Sequence, residues 1–160
     1  MDSLVEIYLN RANNEIMAAV SLKKLSEGQK EKQDFELPSN VTFYSSVISH
    51  AYYAIFYSAK AILLTNGIKT TLPNVHKATL DKFKESFVDS GILDVKLLDI
   101  YKKLIIRADD LLEIFQLEKG KRGSFTYTTI PQANKEPAEE SIENAKFFVS
   151  NMTKVIMKGN

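Results

Sequence analysis

The run Glu118-Lys-Gly-Lys-Arg-Gly-Ser-Phe-Thr-Tyr127 packs Lys119, Lys121 and Arg122 around two glycines, and Tyr127 follows Arg122 five positions on. A guanidinium is a permanent charge in a fork that matches phosphate oxygens, and glycines let backbone N–H groups approach the same anion. The same composition also describes a solvated turn whose lysines serve solubility, and the residues alone leave both readings open. Tyr127 has a structural reading, a ring covering the core with its hydroxyl at the rim. Beside it stand three functional ones: a donor to phosphate, a stacking surface for a base, or a hydroxyl that a partner enzyme modifies with a nucleotide. Two imidazoles complete the set. His50 stands among small and aromatic residues and reads as a core histidine hydrogen-bonded to a neighbour. His76 falls in the first turn of a helix, where the positive dipole end disfavours its charged form. It has a structural reading and, beside it, a place in an anion-binding cleft. Arg107, followed by Asp109 and Asp110, reads as surface ion pairing.

Other chemistries are poorly served. The chain has no cysteine, so disulfides, thiol catalysis and thiolate metal sites are absent, and its two histidines lie 26 residues apart, a poor start for zinc. No metal or other cofactor is expected. A net charge of +1 argues against coating a polyanion through the overall field, so any such site must be a local patch. The first residues lack a basic leader, and nowhere do about eighteen apolar residues follow one another. The expectation is a soluble, cytoplasmic protein with no membrane association, its 160 residues forming one domain, 1–160.

The positioning elements read as helices. Val5, Leu9, Ala12, Ile16 and Ala19 form one stripe of a helix over about Ser3 to Leu25 that ends near Gly28. Glu27 to Ser39 reads as a solvated loop. The tract Tyr44 to Leu64 alternates small residues with Tyr52, Tyr53, Phe56 and Tyr57 at helical spacing, which predicts a helix over roughly Val41 to Asn66, buried against other helices, with Gly67 in the left-handed position after it. A third helix covers Asn74 to Ser90 and is closed by Gly91. From Asp94 a heptad through Leu97, Tyr101, Leu104, Ala108, Leu111 and Phe115 predicts a spine about 36 Å long if it runs some 24 residues. Between Glu118 and Lys135 the helical period is lost for eighteen residues, and loops of that length in a compact domain are usually functional or disordered. A last helix starts at Pro137 and buries Ile142, Ala145, Phe148, Met152 and Ile156. The fold class is all-α, an antiparallel four- to five-helix up-and-down bundle.

The tract Ser49-His-Ala-Tyr-Tyr-Ala-Ile-Phe-Tyr-Ser-Ala-Lys-Ala-Ile-Leu-Leu-Thr-Asn-Gly67, then His76 opening a helix, Arg122-Gly-Ser-Phe-Thr-Tyr127 and Ala145-x-x-Phe148, resembles the HEPN superfamily of higher-eukaryote and prokaryote nucleotide-binding domains, in particular its small stand-alone prokaryotic members. The resemblance spans roughly Tyr44 to Val155. It implies a helical bundle that forms a homodimer, bringing two Arg-containing segments together in a cleft. In active members an Arg followed shortly by a His supports metal-independent RNA cleavage, the Arg holding a phosphate and the His exchanging a proton. Here position 127 is Tyr, and neither His50 nor His76 closely follows an arginine. A phenol with a reference pKa of about 10 falls roughly three units short as a base at pH 7, a deficit on the order of 4 kcal/mol.

The leading expectation is therefore a homodimer that binds RNA or a nucleotide through Lys119, Lys121, Arg122, Tyr127 and His76, as the toxin-like or regulatory partner of a nucleotidyltransferase. Two alternatives remain: a weak metal-independent endoribonuclease with Arg122 and Tyr127 as its catalytic pair, and a helical scaffold that binds only proteins.

Overall fold

In the computed structural model, which describes residues 2–120 and 134–159 and the backbone alone for 109–120, Asp2 caps the first helix. Its carboxylate accepts the Leu4 N–H at 3.0 Å, satisfying a donor that has no partner within the helix. Helix α1 then runs Ser3–Glu27, buries Val5, Leu9, Ala12 and Ala19, and stops at Gly28. The segment expected to be a solvated loop instead contains a short helix, α2, Gln29–Asp34. Lys32 explains it: the residue is buried along its methylene stem and its ammonium donates to the Ser39 carbonyl at 2.9 Å. Ser26 ties this corner together, accepting the Phe43 N–H at 2.7 Å while donating to the Leu22 carbonyl.

Helix α3, Tyr44–Thr65, lies at the centre. Ala51, Ala54, Ala59 and Ala61 have no exposed surface, and their small side chains let neighbouring backbones come close. By length and composition α3 also passes as a membrane span, but most of its apolar window is buried inside the bundle, as a core helix requires. Gly67 after α3 takes the left-handed conformation expected of it, with φ of 71°, and Gly91, expected only to close a helix, takes it too with φ of 77°. Helix α4, Val75–Phe83, passes directly into a π-helical turn, Lys84–Val88, closed by the Asp89 N–H on the Lys84 carbonyl at 2.8 Å. The sequence pattern predicts a single regular helix there; the wider turn interrupts it while Phe83 and Phe87 both remain buried.

Helix α5 covers Val95–Gly120 and α6 covers Lys135–Lys158. At 26 residues α5 is about 39 Å long, close to the expected spine. Helix α6 begins two residues before Pro137, which costs nothing because N–H groups in a first turn have no helical acceptor. Its five expected core residues are all buried. Chain direction follows from who meets whom. Ser26 at the end of α1 meets Phe43 before α3, and Tyr8 near the start of α1 stacks on Tyr57 late in α3. Arg107 of α5 reaches Pro137 and Ser141, whereas Tyr101, one and a half turns earlier, packs on Phe148. Lys23 at the end of α1 also meets Glu139 at the start of α6, so the four long helices α1, α3, α5 and α6 alternate in direction, and the described residues form an all-α bundle without strands.

One buried group breaks the pattern of satisfied polar atoms. Tyr101 is fully buried among Phe83 and Phe148, and its hydroxyl has no hydrogen-bond partner among the described residues. Burial pushes that phenol well above its ordinary pKa, with a smaller contribution from Tyr52. An unpaired buried hydroxyl costs about 1–3 kcal/mol, so Tyr101→Phe is expected to leave stability unchanged or raise it by up to about that amount. Equilibrium urea unfolding reads this directly, and a clear loss of stability in the variant contradicts it.

Candidate functional site

Of the five residues expected to form the binding cleft, His76 is the one whose surroundings the structure describes. It sits in the first turn of α4 and lies flat on Phe56, ring centroids 4.4 Å apart and planes at 27°. The Tyr52 hydroxyl is 2.7 Å from its Nδ1, and the Tyr52 and Tyr53 rings flank it at 5.8 and 6.1 Å. When the phenol donates in that bond, the neutral ring carries its proton on Nε2. Helix α3 makes this possible because Tyr52 and Tyr53 stand four and three residues before Phe56, the spacings that bring helical side chains together, beside the fully buried Ala51 and Ala54. Phe56 is buried, Tyr52 half-buried and Tyr53 exposed, so the imidazole rests on a platform graded from core to surface. The aromatic row expected to be buried against other helices thus also forms the seat of His76.

Lys119 lies in the last turn of α5, and its side chain lies outside the described residues. Lys121, Arg122 and Tyr127 lie outside them entirely. What the structure does describe is the pair of helices from which their segment departs and to which it returns. Here Arg107 corrects the sequence reading. Its side chain is only 15% exposed, and it is aimed at α6 rather than lying along the surface of α5. One terminal nitrogen donates to the Ser141 hydroxyl at 3.1 Å and, at 3.4 Å, to the Pro137 carbonyl. The other donates to Glu140 at 2.5 Å, and Lys103 also pairs with Glu140. At the same end of the bundle Lys23 of α1 meets Glu139 at 3.2 Å, and Lys135 lies 3.6 Å from Glu27. These contacts fix where α6 starts against α5 and α1.

Glu140 titrates accordingly. Hydrogen bonds from Arg107 first and Lys103 second hold its carboxyl below the ordinary value of 4.5. A carboxyl lowered in the folded state stabilises fully above the unfolded pKa, and this contribution disappears as pH falls through the folded value. Because the Glu140 side chain is 45% exposed, solvent screening limits the effect to about 1 kcal/mol. Glu140→Gln is therefore expected to lower the melting temperature at pH 7 by about 2–4 °C. The difference from the parent should shrink below about pH 4, which a pH series of thermal melts measures.

His50 is half-buried rather than fully in the core, and its Nδ1 meets Glu15 of α1 at 2.5 Å. Its role as a hydrogen-bonded structural histidine stands, since that contact joins α1 to α3. Among the described residues no group of three His, Asp or Glu side chains is placed to hold a metal ion.

Comparison with known proteins adds to this geometry. Two proteins of Methanocaldococcus jannaschii, named "Putative toxin MJ0605" and "Putative toxin MJ0142", are similar in sequence. The first is 32% identical over 113 residues, covering 71% of this chain and 71% of that protein. The second is 26% identical over 138 residues, covering 86% of this chain and 82% of its own length. The model of the HEPN domain matches residues 6–155, nearly the whole bundle from the first turn of α1 to the last turns of α6. With that match joined to an all-helical bundle in which a histidine opens α4 against the Tyr-Tyr face of α3, the chain belongs to the HEPN domain family.

Proposed function

We propose that this HEPN protein is a toxin-like or regulatory protein that binds RNA or a nucleotide. The binding cleft is formed by Lys119, Lys121, Arg122 and Tyr127 with His76. The protein works as a homodimer of single 1–160 domains, and a nucleotidyltransferase is its partner. The observation that carries the reading is the family match over residues 6–155, which takes in His76 and the Arg122-x4-Tyr127 segment together. The names of the two similar archaeal proteins support the toxin-like part. The seat of His76 supports the binding part: a ring held by Phe56 and Tyr52 beside exposed Tyr53 offers a flat aromatic surface of the kind on which a base stacks.

The test is direct binding of labelled RNA and of ATP to the purified chain, wild type beside Arg122→Ala, at low and moderate salt. Binding that weakens as salt rises and is lost in the variant is expected, because a phosphate contact releases counterions. A wild type that binds neither ligand, or an Arg122→Ala protein that binds both as well as the parent, rejects the proposal.

A further inference from the structure

A second feature lies between the first half of α1, the last half of α3 and the connection into α4. An open groove of about 580 Å³ is lined there by Tyr8, Arg11, Phe56, Tyr57 and Lys60, with mostly apolar walls beyond them. We infer that this groove binds an aromatic anion, a flat ring system carrying one phosphate, sulfonate or carboxylate group. The inference does not rest on the reading of Arg122 and Tyr127.

The argument starts with Lys60. It is half-buried, 4.9 Å above the Tyr8 ring and 5.7 Å from the Phe56 ring, and it donates once, to the Thr70 carbonyl at 3.2 Å. An ammonium has three donors, so two remain without an acceptor among the described residues. Arg11 lies 4.9 Å over the Tyr57 ring. Neither cation forms an ion pair among the described residues, although most lysines of the bundle with partners pair with a carboxylate. No Asp or Glu belongs to the described lining of the groove. Lys60 is partly desolvated, which is costly for a cation unless negative charge matches it, and its cation–π contacts offset only part of that cost; Arg11 is exposed and adds charge at the rim. Lys60 and Arg11 both line the groove, so an anion seated in it is met by an ammonium and a guanidinium.

The rest of the groove defines what that anion carries. Its volume suits a ligand of one or two rings, and its walls are mostly aliphatic and aromatic. Position is held firmly: Thr70 is buried and its hydroxyl meets that of Thr79 on α4 at 2.7 Å, fixing the connection that forms one side. Phe56 is shared, one face of its surroundings going to His76 and another to Lys60.

Fluorescence titration with anilinonaphthalene sulfonate, a ring system bearing one sulfonate, tests this against phenylnaphthylamine, the same rings without the charge. Wild type is expected to bind the sulfonate, and Lys60→Met and Arg11→Gln are each expected to weaken it about tenfold, the usual scale for removing a charged hydrogen bond. Both variants should bind the neutral probe within about twofold of wild type. Lys102→Gln, which removes an exposed cation on α5 away from the groove, should bind the sulfonate as wild type does. Circular dichroism melts establish that each variant is folded; Arg11 is exposed, so Arg11→Gln decides the matter if Lys60→Met does not fold. A wild type that ignores the sulfonate, variants that bind it undiminished, or an equal loss for the neutral probe overturns the inference.

Discussion

Phe148→Ala is expected to cost about 3–5 kcal/mol, one of the largest losses any single truncation in this bundle should produce. The ring has no exposed surface and connects three elements. It lies 5.4 Å from Phe83 of α4 and meets Tyr101 of α5 edge-on at 5.7 Å and 83°. An edge-to-face pair adds to what area burial alone provides, and the cavity left behind has rigid helices on its sides, so it collapses poorly. For a chain of this size the melting temperature should fall by roughly 10 °C or more. The neighbouring Phe147 is the internal control. It is 45% exposed and meets Lys96, whose ammonium lies 5.0 Å from the ring, so Phe147→Ala should cost about 1 kcal/mol or less. Urea unfolding of the two alanine variants side by side measures the difference, and similar losses would mean that α6 presents a different face to the core.

That contrast is legible in the chain itself. Ile142, Ala145, Phe148, Met152 and Ile156 repeat at spacings of three and four, and such a stripe has one physical use in a polar solvent. The left-handed glycine at 67 is legible for a similar reason, since few other residues tolerate that conformation. Local rules fail where a long-range contact decides the outcome. Helix α2 depends on Lys32 finding the Ser39 carbonyl, and nothing in a mixed-charge run distinguishes a lysine that will be buried from one that will not. Arg107 reads as a surface residue because acidic residues follow it, yet it stands three positions after the buried Leu104, at the edge of the core stripe, and faces α6. The position within the stripe is the available signal, and the adjacent charges conceal it.

The candidate site divides along the same line. The Tyr-Tyr tract and His76 can each be picked out by type, but the bond between Tyr52 and His76 joins residues 24 apart and requires the crossing of α3 and α4 to be known. Lys60 and Arg11 carry no motif at all. Each is an isolated cation on a helix, and only the antiparallel pairing of α1 with α3 places both over aromatic rings in one groove. For Lys119, Lys121, Arg122 and Tyr127 the sequence supplies the residue types, and the structure supplies the start of α6, held against α5 through Arg107 and Glu140.

On function, the largest effect is expected at Arg122. A guanidinium that grips a phosphate makes two parallel charge-assisted hydrogen bonds, each stronger than a neutral one and short enough to fix orientation. Removing such a grip costs about 1.5–3 kcal/mol, or roughly tenfold to a hundredfold in affinity, and in the proposed homodimer the substitution acts once in each chain. Lys119→Ala and Lys121→Ala should each cost less, since an ammonium is a mobile point charge that water replaces easily. The salt dependence sharpens the distinction: the plot of log affinity against log salt should flatten by about one unit for every phosphate no longer neutralised. Tyr127 then separates two roles for the phenol. If its hydroxyl donates to phosphate, Tyr127→Phe weakens binding; if its ring carries a base, Tyr127→Phe binds normally and Tyr127→Leu loses about 1–3 kcal/mol. An Arg122→Ala protein with wild-type affinity and an unchanged salt slope leaves the bundle intact but removes the segment between α5 and α6 from the binding surface.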